Sequence, residues 1–367
     1  MAQPDRSRWS TTADWPARNA VEEALMLHAL DHVRRFRGRL MDAAGLGPDE
    51  APFRVLSSQP GIRIRAYGGP ASGPALVLVP APIKRAYIWD LAPDASAVRH
   101  ARAAGWRVYL VEWTTPDAAT AEFGLSDYAD RLILRALDAV AAETGERRVP
   151  LAGHSLGGTL AAIFAARHPD RVKRLVLLEA PLSFGAKAGV FAPLVASTPP
   201  LGGMHALLGT VPGSFLTAIS VAAAPDTFAA AVWRDWLASI ADPRDAVLHS
   251  RVMRWALDEC PIPTRLFEDI LEALYRQDLF ARGLLRIHEC NVGPDRLRMP
   301  ILAVVDPRST VIPPASALAV LAGRDAHVLH YTGDRGVALQ HVGVLVGRSA
   351  HAIVWPAIHA WLAALSR

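Results

Sequence analysis

The stretch Val149-Pro150-Leu151-Ala152-Gly153-His154-Ser155-Leu156-Gly157-Gly158 joins a short apolar run to a serine that glycines flank on both sides. Its centre has the pattern G-x-S-x-G, which is typical of a nucleophilic serine on a sharp turn from a strand into a helix. Such a turn needs small residues, because the strand and the helix approach each other closely there. The stretch therefore predicts a catalytic Ser155. The alternative is a glycine-rich turn that serves packing alone.

Apolar runs and helical patterns alternate on both sides of this turn. Residues 75–79 and 301–305 are unbroken apolar runs, which are typical of strands buried on both faces. Further strands are expected at residues 62–67, 107–111, 149–152, 175–178 and 327–331, and helices at about 95–104, 126–144, 156–168 and 350–365. Strand-helix alternation of this kind specifies right-handed crossovers. The fold expected is α/β, with a doubly wound, mostly parallel sheet of the α/β-hydrolase type.

The sequence divides into three kinds of region. Residues 1–50 are expected to be a helical lead-in, with one or two amphipathic helices between Val21 and Leu46. Residues 51–180 and 300–367 are expected to form the α/β core. Residues 181–299 show helical segments broken by Pro and Gly, which predicts a helical cap inserted into the sheet. Two uses are open for the large aromatic residues of this cap, an acyl pocket or the cap's own core, and the cap's own core is expected for most of them. They are Trp233, Trp236, Trp255 and Phe267.

Composition excludes some classes of function. Apolar residues make up 51 % of the chain and charged residues 20 %, which predicts a large buried core. The formal charge is +4, but the Arg residues are scattered and no basic run indicates nucleic-acid binding. Two cysteines, Cys260 and Cys290, cannot build a disulfide framework, so a reducing, cytoplasmic setting is expected. Neither an export signal nor a membrane span is expected.

Backbone N–H groups near the turn are the expected oxyanion donors. The N–H of Leu156 begins the helix that follows Ser155, so it faces a charge that develops there. In this fold the second donor comes from the loop after the strand at residues 75–79. Pro80 and Pro82 lack an N–H, which leaves Ala81 and Ile83 as alternatives.

The general base and its acid are expected downstream of Ser155, because members of this triad follow in the order Ser, Asp/Glu, His. His341 lies in a predicted loop between the last strand and the last helix and is the expected base. Asp306 directly follows the strand at residues 301–305 and is the expected acid, with Asp334 in reserve. A turn-initiating Asp before Pro307 is the alternative role for Asp306. No metal motif is present, and acyl transfer by such residues requires no cofactor.

Several stretches are similar, in the same order, to one enzyme family. They are Leu78–Leu91, Trp113–Ala118, Asp127-Tyr128, the serine turn, Arg254-Trp255 with Asp258, Tyr275 with Leu279, and His341–Val344. Together these stretches resemble the polyhydroxyalkanoate synthases, which build polyester from 3-hydroxyacyl-CoA. The resemblance implies an acyl ester or acyl-CoA substrate and, as partners, a polyester granule or a synthase partner subunit. A homodimer is left open.

Two departures from that family bear on function. The synthases carry Cys as the nucleophile where this chain has Ser155, and a thiolate forms far more readily than an alkoxide at neutral pH. The family's acid lies in an Asp-His pair shortly before a Pro, whereas the matching position here is Ser309. Asp306 would then act from three residues upstream.

Three hypotheses about function follow. The leading one is a serine acyl hydrolase or acyltransferase that acts on (3-hydroxy)acyl esters or thioesters in polyhydroxyalkanoate metabolism. The second is a divergent polyhydroxyalkanoate synthase that polymerises 3-hydroxyacyl-CoA through Ser155. The third is a catalytically silent protein that binds granules or a synthase subunit through apolar surface. Retention of both Ser155 and His341 favours the two enzymes.

Overall fold

An eight-stranded sheet forms the centre of the protein, for which a computed structural model describes residues 15–199 and 209–364. Its strands are β1 Arg54–Gln59, β2 Ile62–Gly68, β3 Ala75–Val79, β4 Arg107–Trp113, β5 Val149–His154, β6 Val172–Leu178, β7 Ile301–Val305 and β8 Ala326–His330. Their spatial order is β1-β2-β4-β3-β5-β6-β7-β8. The pairs β1–β2 and β2–β4 are antiparallel, and all other neighbours in the sheet are parallel. The expected α/β-hydrolase fold is confirmed.

Helices cover both faces of the sheet and fill the insert between β6 and β7. They are α1 Trp15–Ala43, α2 Ala97–Ala103, α3 Leu132–Thr144, α4 Leu156–Arg167, α5 Ala192–Ser197, α6 Gly213–Ala223, α7 Ala231–Ser239, α8 Pro243–Ala256, α9 Thr264–Asp269, α10 Pro314–Leu318, α11 Gln340–Val346 and α12 Trp355–Ala364. Wider, π-type turns span Asp127–Arg131, Asp226–Ala230, Ile270–Arg276 and Ala350–Val354. Three short two-stranded ribbons pair Asp90–Ala92 with Ala95–Ser96, Thr210–Val211 with Ile262–Pro263, and Leu285–Ile287 with Cys290–Val292.

The central strands are apolar on both faces because each face has its own core. Along β3, Ala75, Val77 and Val79 pack into one buried cluster, while Leu76 and Leu78 pack into the other. All five are fully buried. Burying a Val or Leu side chain stabilises the fold by roughly 1.5–3 kcal/mol, so this strand fixes the centre of the sheet.

Sequence and structure differ at two elements, β1 and the segment around His341. The edge strand β1 was not predicted, because its polar, largely exposed residues lack a buried apolar run. The lead-in contains one long helix, α1, in agreement with the one or two expected, and the part of the lead-in before residue 15 lies outside the described residues. The predicted loop around His341 is the first turn of α11, which begins after Leu339 with extended backbone angles of −127° and 107°.

The carboxyl edge of the sheet gathers the groups of chemical interest. Ser155 follows β5, Glu179 follows β6 and Asp306 follows β7, and these three strands are neighbours. Helix α1 lies outside the sheet, against α6 and α8 of the insert. The division into lead-in, core and cap at the stated boundaries stays a prediction.

Candidate active site

Ser155 lies on a sharp turn between β5 and α4. Its φ of 54° is in the left-handed region, which non-glycine residues seldom occupy and which costs about 1–3 kcal/mol. The strand and helix meet so closely that a Cβ on Gly153 would lie 2.5 Å from the Cα of Gly158. A Cβ on Gly157 would lie 2.3 Å from the carbonyl oxygen of Val79. The glycines of the pattern are therefore required by close backbone approach on both sides of Ser155.

The loop after β3, which we call the oxyanion loop (residues 80–85), runs beside this turn. Ala81, Ile83 and Leu156 line the same cavity as Ser155. The indole N–H of Trp113 donates a hydrogen bond to the carbonyl oxygen of Pro80 at 2.8 Å and ties the start of the loop to β4. That Leu156 donates to an oxyanion, together with Ala81 or Ile83, stays a prediction.

His341 contacts a carboxylate that sequence reasoning did not single out. Its Nδ1 lies 3.0 Å from Oε2 of Glu179. A hydrogen bond donated from Nδ1 leaves Nε2 unprotonated, which is the tautomer that a general base requires. Burial lowers the pKa of His341 to about 4, so the imidazole is neutral at pH 7 and able to accept a proton.

Glu179 is held in an unusual backbone conformation at the end of β6. Its φ is 44°, and its N–H donates to the carbonyl oxygen of Val304 at 2.8 Å. The residue is 1 % exposed, and burial, with the Asp306 carboxylate as the second cause, raises the pKa of Glu179 well above its ordinary value. The sequence carried one signal for it, a carboxylate directly after the apolar run Leu175–Leu178.

Neither carboxylate predicted from the sequence is the one that meets His341. Asp306 is buried, and its Oδ1 accepts a hydrogen bond from the backbone N–H of Arg308 at 2.8 Å. Asp334 accepts hydrogen bonds from the Tyr331 hydroxyl at 3.0 Å and from the Ser349 hydroxyl at 2.7 Å. The structure pairs His341 with Glu179 and not with Asp306, because the Asp306 carboxylate is bound to the backbone of Arg308.

His154, within the serine motif, is a second residue that sequence reasoning passed over. Its Nε2 donates to the backbone carbonyl oxygen of His341 at 2.8 Å, and the two imidazole rings lie 4.7 Å apart. Burial, more than the neighbouring His341, lowers the pKa of His154 to about 3. A neutral His154 therefore fixes the backbone that carries His341. His154 occupies a variable position of the G-x-S-x-G pattern, so the pattern does not predict this role.

Two cavities meet at His341. The first, of about 510 Å³, contains Ser155 and is lined mainly by apolar side chains of the insert and of the oxyanion loop. The second, of about 740 Å³, is polar and is lined by Glu179, Asp306 and Asp334 among others. Val311 and His341 line both. His341 thus borders an apolar cavity and a carboxylate-rich one.

The four aromatic residues considered for an acyl pocket separate into two pairs. Trp255 and Phe267 line the apolar cavity. Trp233 and Trp236 lie on the outside of the insert, 66 % and 40 % exposed, with their rings edge to face at 5.7 Å. The expectation that most of the four form the cap's own core is therefore wrong for the exposed pair.

Within residues 15–199 and 209–364, no group of three or more His, Cys, Asp or Glu is arranged to hold a metal ion. In the same part of the chain, no single helix is both long and apolar enough to cross a bilayer. Taken together, the helical segments 213–223 and 226–239 are long and apolar enough, but the chain bends by 108° between them.

Comparisons with known proteins agree with this architecture. A family model described as alpha/beta hydrolase fold matches residues 74–199. The solved structure of a hydrolase from Pseudomonas aeruginosa has a TM-score of 0.52 at 18 % identity and covers 85 % of this chain and 98 % of that one. A putative lipase from Sulfolobus solfataricus also has a TM-score of 0.52, at 16 % identity and with the same coverage of both chains. These likenesses show the fold.

Sequence relatives are more specific. The poly(3-hydroxyalkanoate) polymerase subunit PhaC of Haloferax mediterranei is 28 % identical over 300 residues, 78 % of this chain and 58 % of that protein. The polymerase subunit PhaC of Allochromatium vinosum is 24 % identical over 351 residues, 93 % of this chain and 97 % of that protein. The chain thus spans little more than half of the first relative and nearly all of the second. The resemblance seen in the sequence motifs is confirmed.

Proposed function

The chain is an enzyme of the α/β-hydrolase type that is similar to poly(3-hydroxyalkanoate) polymerase subunits, and from this premise we propose that it is a serine acyl hydrolase or acyltransferase. Its substrates are (3-hydroxy)acyl esters or thioesters of polyhydroxyalkanoate metabolism. The observation that carries the proposal is the pairing of His341 with Glu179 at 3.0 Å, beside a strained Ser155 on the wall of the same cavity as His341.

In the first half-reaction, His341 Nε2 takes the proton of the Ser155 hydroxyl as Oγ attacks the acyl carbonyl carbon. Glu179 holds the imidazole in its tautomer and stabilises the imidazolium that forms. The tetrahedral oxyanion is bound by the N–H of Leu156 and by that of Ala81 or Ile83. When the intermediate collapses, the bond to the leaving group breaks, and the thiolate or alkoxide takes the proton from His341.

In the second half-reaction, water or an alcohol attacks the acyl-serine ester. His341 takes a proton from the acceptor, and the serine oxygen leaves and takes that proton back. The acyl group occupies the apolar cavity, whose lining excludes water and favours a hydrocarbon chain over a polar one. Neither half-reaction requires a metal or a cofactor.

A second candidate function is that of a polyhydroxyalkanoate polymerase. It is favoured by the sequence relatives, which are polymerase subunits and whose similarity extends over most of this chain. In that case the acceptor is the hydroxyl of a 3-hydroxyacyl group, and the same residues perform repeated transfer. Ser155 favours the hydrolase, because serine is the expected nucleophile for attack on oxygen esters. Repeated thioester exchange, as in a polymerase, suits a cysteine thiolate instead.

The proposal extends to setting and partners. Both cysteines are free, Cys260 buried and Cys290 half-buried, which is consistent with a reducing compartment such as the cytoplasm. Trp233, Leu237 and Ile240 follow one exposed face of α7 and its end, each more than half exposed. Such an apolar stripe suits a polyester granule or a synthase partner subunit.

Purified protein incubated with 3-hydroxybutyryl-CoA tests the proposal. Release of CoA with free 3-hydroxy acid, read by mass spectrometry, supports the hydrolase; release with oligomers supports the polymerase. Ser155→Ala should abolish release, and Ser58→Ala, an exposed serine on the edge strand β1, should not. The proposal fails if the wild type neither releases CoA, nor cleaves short-chain 4-nitrophenyl esters, nor is labelled at Ser155 by a fluorophosphonate.

A further inference from the structure

The oxyanion loop is held from its outer side by the insert. The carbonyl oxygen of Ile83 accepts a hydrogen bond from the N–H of Cys260 at 3.3 Å, and Lys84 forms an antiparallel bridge with Glu259. One residue further, the indole N–H of Trp255 donates to the carbonyl oxygen of Arg85 at 2.8 Å. The segment 255–260, which we call the clamp segment, thus pairs with the loop along its backbone.

Glu259 lies at the centre of this contact, 6 % exposed. Its Oε1 accepts a hydrogen bond from Lys84 Nζ at 2.7 Å and another from the Thr217 hydroxyl of α6. Its Oε2 lies 3.2 Å from Nη2 of Arg34 on α1. A single carboxylate therefore joins the oxyanion loop, the insert and the long first helix.

The neighbours of Glu259 leave it little freedom. A Cβ on Gly213, at the start of α6, would lie 2.4 Å from the Glu259 Cβ. Lys84 Nζ and Arg34 Nη2 also share the carbonyl oxygen of Ala256, at 2.9 and 2.7 Å. The clamp segment is therefore held by its backbone contacts and by the pairing of Glu259 with both Lys84 and Arg34.

The charges show why the carboxylate matters. Burial lowers the pKa of Lys84, and the neighbouring Glu259 opposes that shift. Without Glu259, two partly buried cations would face each other with only a carbonyl oxygen between them. The repulsion would act on the oxyanion loop, because Lys84 lies on that loop and lines the cavity of Ser155.

We propose that Glu259 is a positioning residue, which holds the oxyanion loop at the distance from Ser155 that transition-state binding requires. The inference rests on the proposed acyl transfer. Loss of one oxyanion donor costs roughly 10²- to 10³-fold in kcat, so a loop displaced but not removed should cost about 10- to 100-fold. Because the oxyanion contact strengthens only in the transition state, kcat falls while KM changes little.

The test compares Glu259→Gln with Glu146→Gln. Glu146 binds the N–H of Ala75 at 3.0 Å and Arg107 at 2.8 Å, at the opposite end of the strand that leads into the oxyanion loop. Both substitutions remove a carboxylate charge from an ion pair. Hydrolysis of 4-nitrophenyl butyrate gives kcat and KM, and hydrogen exchange read by mass spectrometry reports on residues 80–86.

Glu259→Gln should lower kcat about 10- to 100-fold, keep KM within about twofold and speed exchange in residues 80–86. Glu146→Gln should change neither kcat nor that exchange. Lys84→Met combined with Glu259→Gln should cost less than Glu259→Gln alone, because the repulsion between Lys84 and Arg34 is then gone. Arg34→Gln, which removes only the arm from α1, should give a smaller change in the same direction.

Unchanged kcat and unchanged loop exchange in Glu259→Gln would overturn the proposal. So would faster exchange throughout the chain with KM and kcat altered together, since that pattern describes a merely structural residue. If Glu259→Gln does not fold, Arg34→Gln decides by the same readouts. The failure of this inference and the failure of the proposed function can be distinguished. Equal hydrolysis by the wild type and Ser155→Ala would contradict the proposed function. The exchange measurement on Glu259→Gln would still test the inference, because hydrogen exchange does not depend on catalysis.

Discussion

Glu179 and Asp306 occupy equivalent places yet have different partners. Each directly follows a buried strand, β6 or β7, and these strands are parallel neighbours. Both side chains are almost fully buried, 1 % and 5 % exposed, and both line the polar cavity beside His341. Glu179 meets His341 Nδ1, whereas Asp306 is turned toward Arg308. Neither burial nor position at a strand end distinguishes the carboxylate that contacts His341.

Backbone conformation makes the difference. The left-handed φ of Glu179, 44°, turns the chain sharply after β6 and sends its longer side chain toward His341. Asp306 is followed by Pro307, and its carboxylate accepts a hydrogen bond from the N–H of Arg308 two residues on. This local turn holds the short Asp306 side chain against its own backbone. The positive φ therefore marks which of the two strand-end carboxylates contacts His341.

The two carboxylates also differ in their counter-charges. The guanidinium Nε of Arg308 lies 3.5 Å from Asp306, whereas Glu179 has the neutral His341. Two neighbouring carboxylates resist being ionised together, and the one without a cation bears the cost. This explains why burial and Asp306 together raise the pKa of Glu179.

The sharpest way to break the comparison is Glu179→Gln. The amide keeps the size of the side chain but no longer stabilises the imidazolium or selects the tautomer of His341. Activity, as kcat/KM on a 4-nitrophenyl ester, should fall roughly 10³- to 10⁴-fold. Asp306→Asn in the same assay is the matched control. A loss of under tenfold in Glu179→Gln together with a large loss in Asp306→Asn would return the role to Asp306.

A smaller loss is expected for Glu179→Asp, which keeps the charge and shortens the reach by one methylene. The carboxylate would then lie beyond the 3.0 Å contact with Nδ1, and a misplacement of this size costs about 10²-fold. The ratio of kcat/KM between the Asp and Gln variants separates charge from distance. If the two variants are equally impaired, charge at this position contributes nothing without contact.

The sequence was a good guide wherever local pattern carries the structure. The unbroken apolar runs predict β3 and β7 at their observed bounds, because burial on both faces demands consecutive Val, Leu and Ile. The turn at Ser155 was predicted because close backbone approach demands glycine at fixed spacing. These features need no knowledge of distant contacts.

The pairing of His341 with Glu179 lay beyond such reasoning. The two residues are 162 positions apart, and only the packed sheet decides which of two strand-end carboxylates reaches the imidazole. The positive φ of Glu179 is likewise a tertiary feature, since local preference would assign it to Gly or Asn. His154 was missed for the same reason: its partner is a backbone carbonyl 187 residues away.

Asp306 itself should act on Glu179 through charge. Because Asp306 raises the pKa of Glu179, Asp306→Asn should lower that pKa, and the acid limb of the kcat/KM profile should move to lower pH. The raised pKa also means that the folded state binds the Glu179 proton more tightly than the unfolded state does. The contribution of Glu179 to stability is therefore complete below pH ~4.5 and is lost as the pH rises through its folded pKa.

Asp306→Asn should consequently have the smallest effect on activity, under about fivefold at pH 8, and should raise stability at that pH rather than lower it. Each unit by which the pKa of Glu179 falls adds about 1.4 kcal/mol to the free energy of unfolding at pH 8. The loss of the ion pair between Asp306 and the largely exposed Arg308 subtracts a smaller amount. Thermal unfolding at pH 5 and pH 8, with Asp334→Asn as control, measures this, because Asp334 lines the same cavity but is bound to Tyr331 and Ser349. An acid limb that stays in place in Asp306→Asn, or one that moves as far in Asp334→Asn, would mean that the two strand-end carboxylates are not electrostatically coupled.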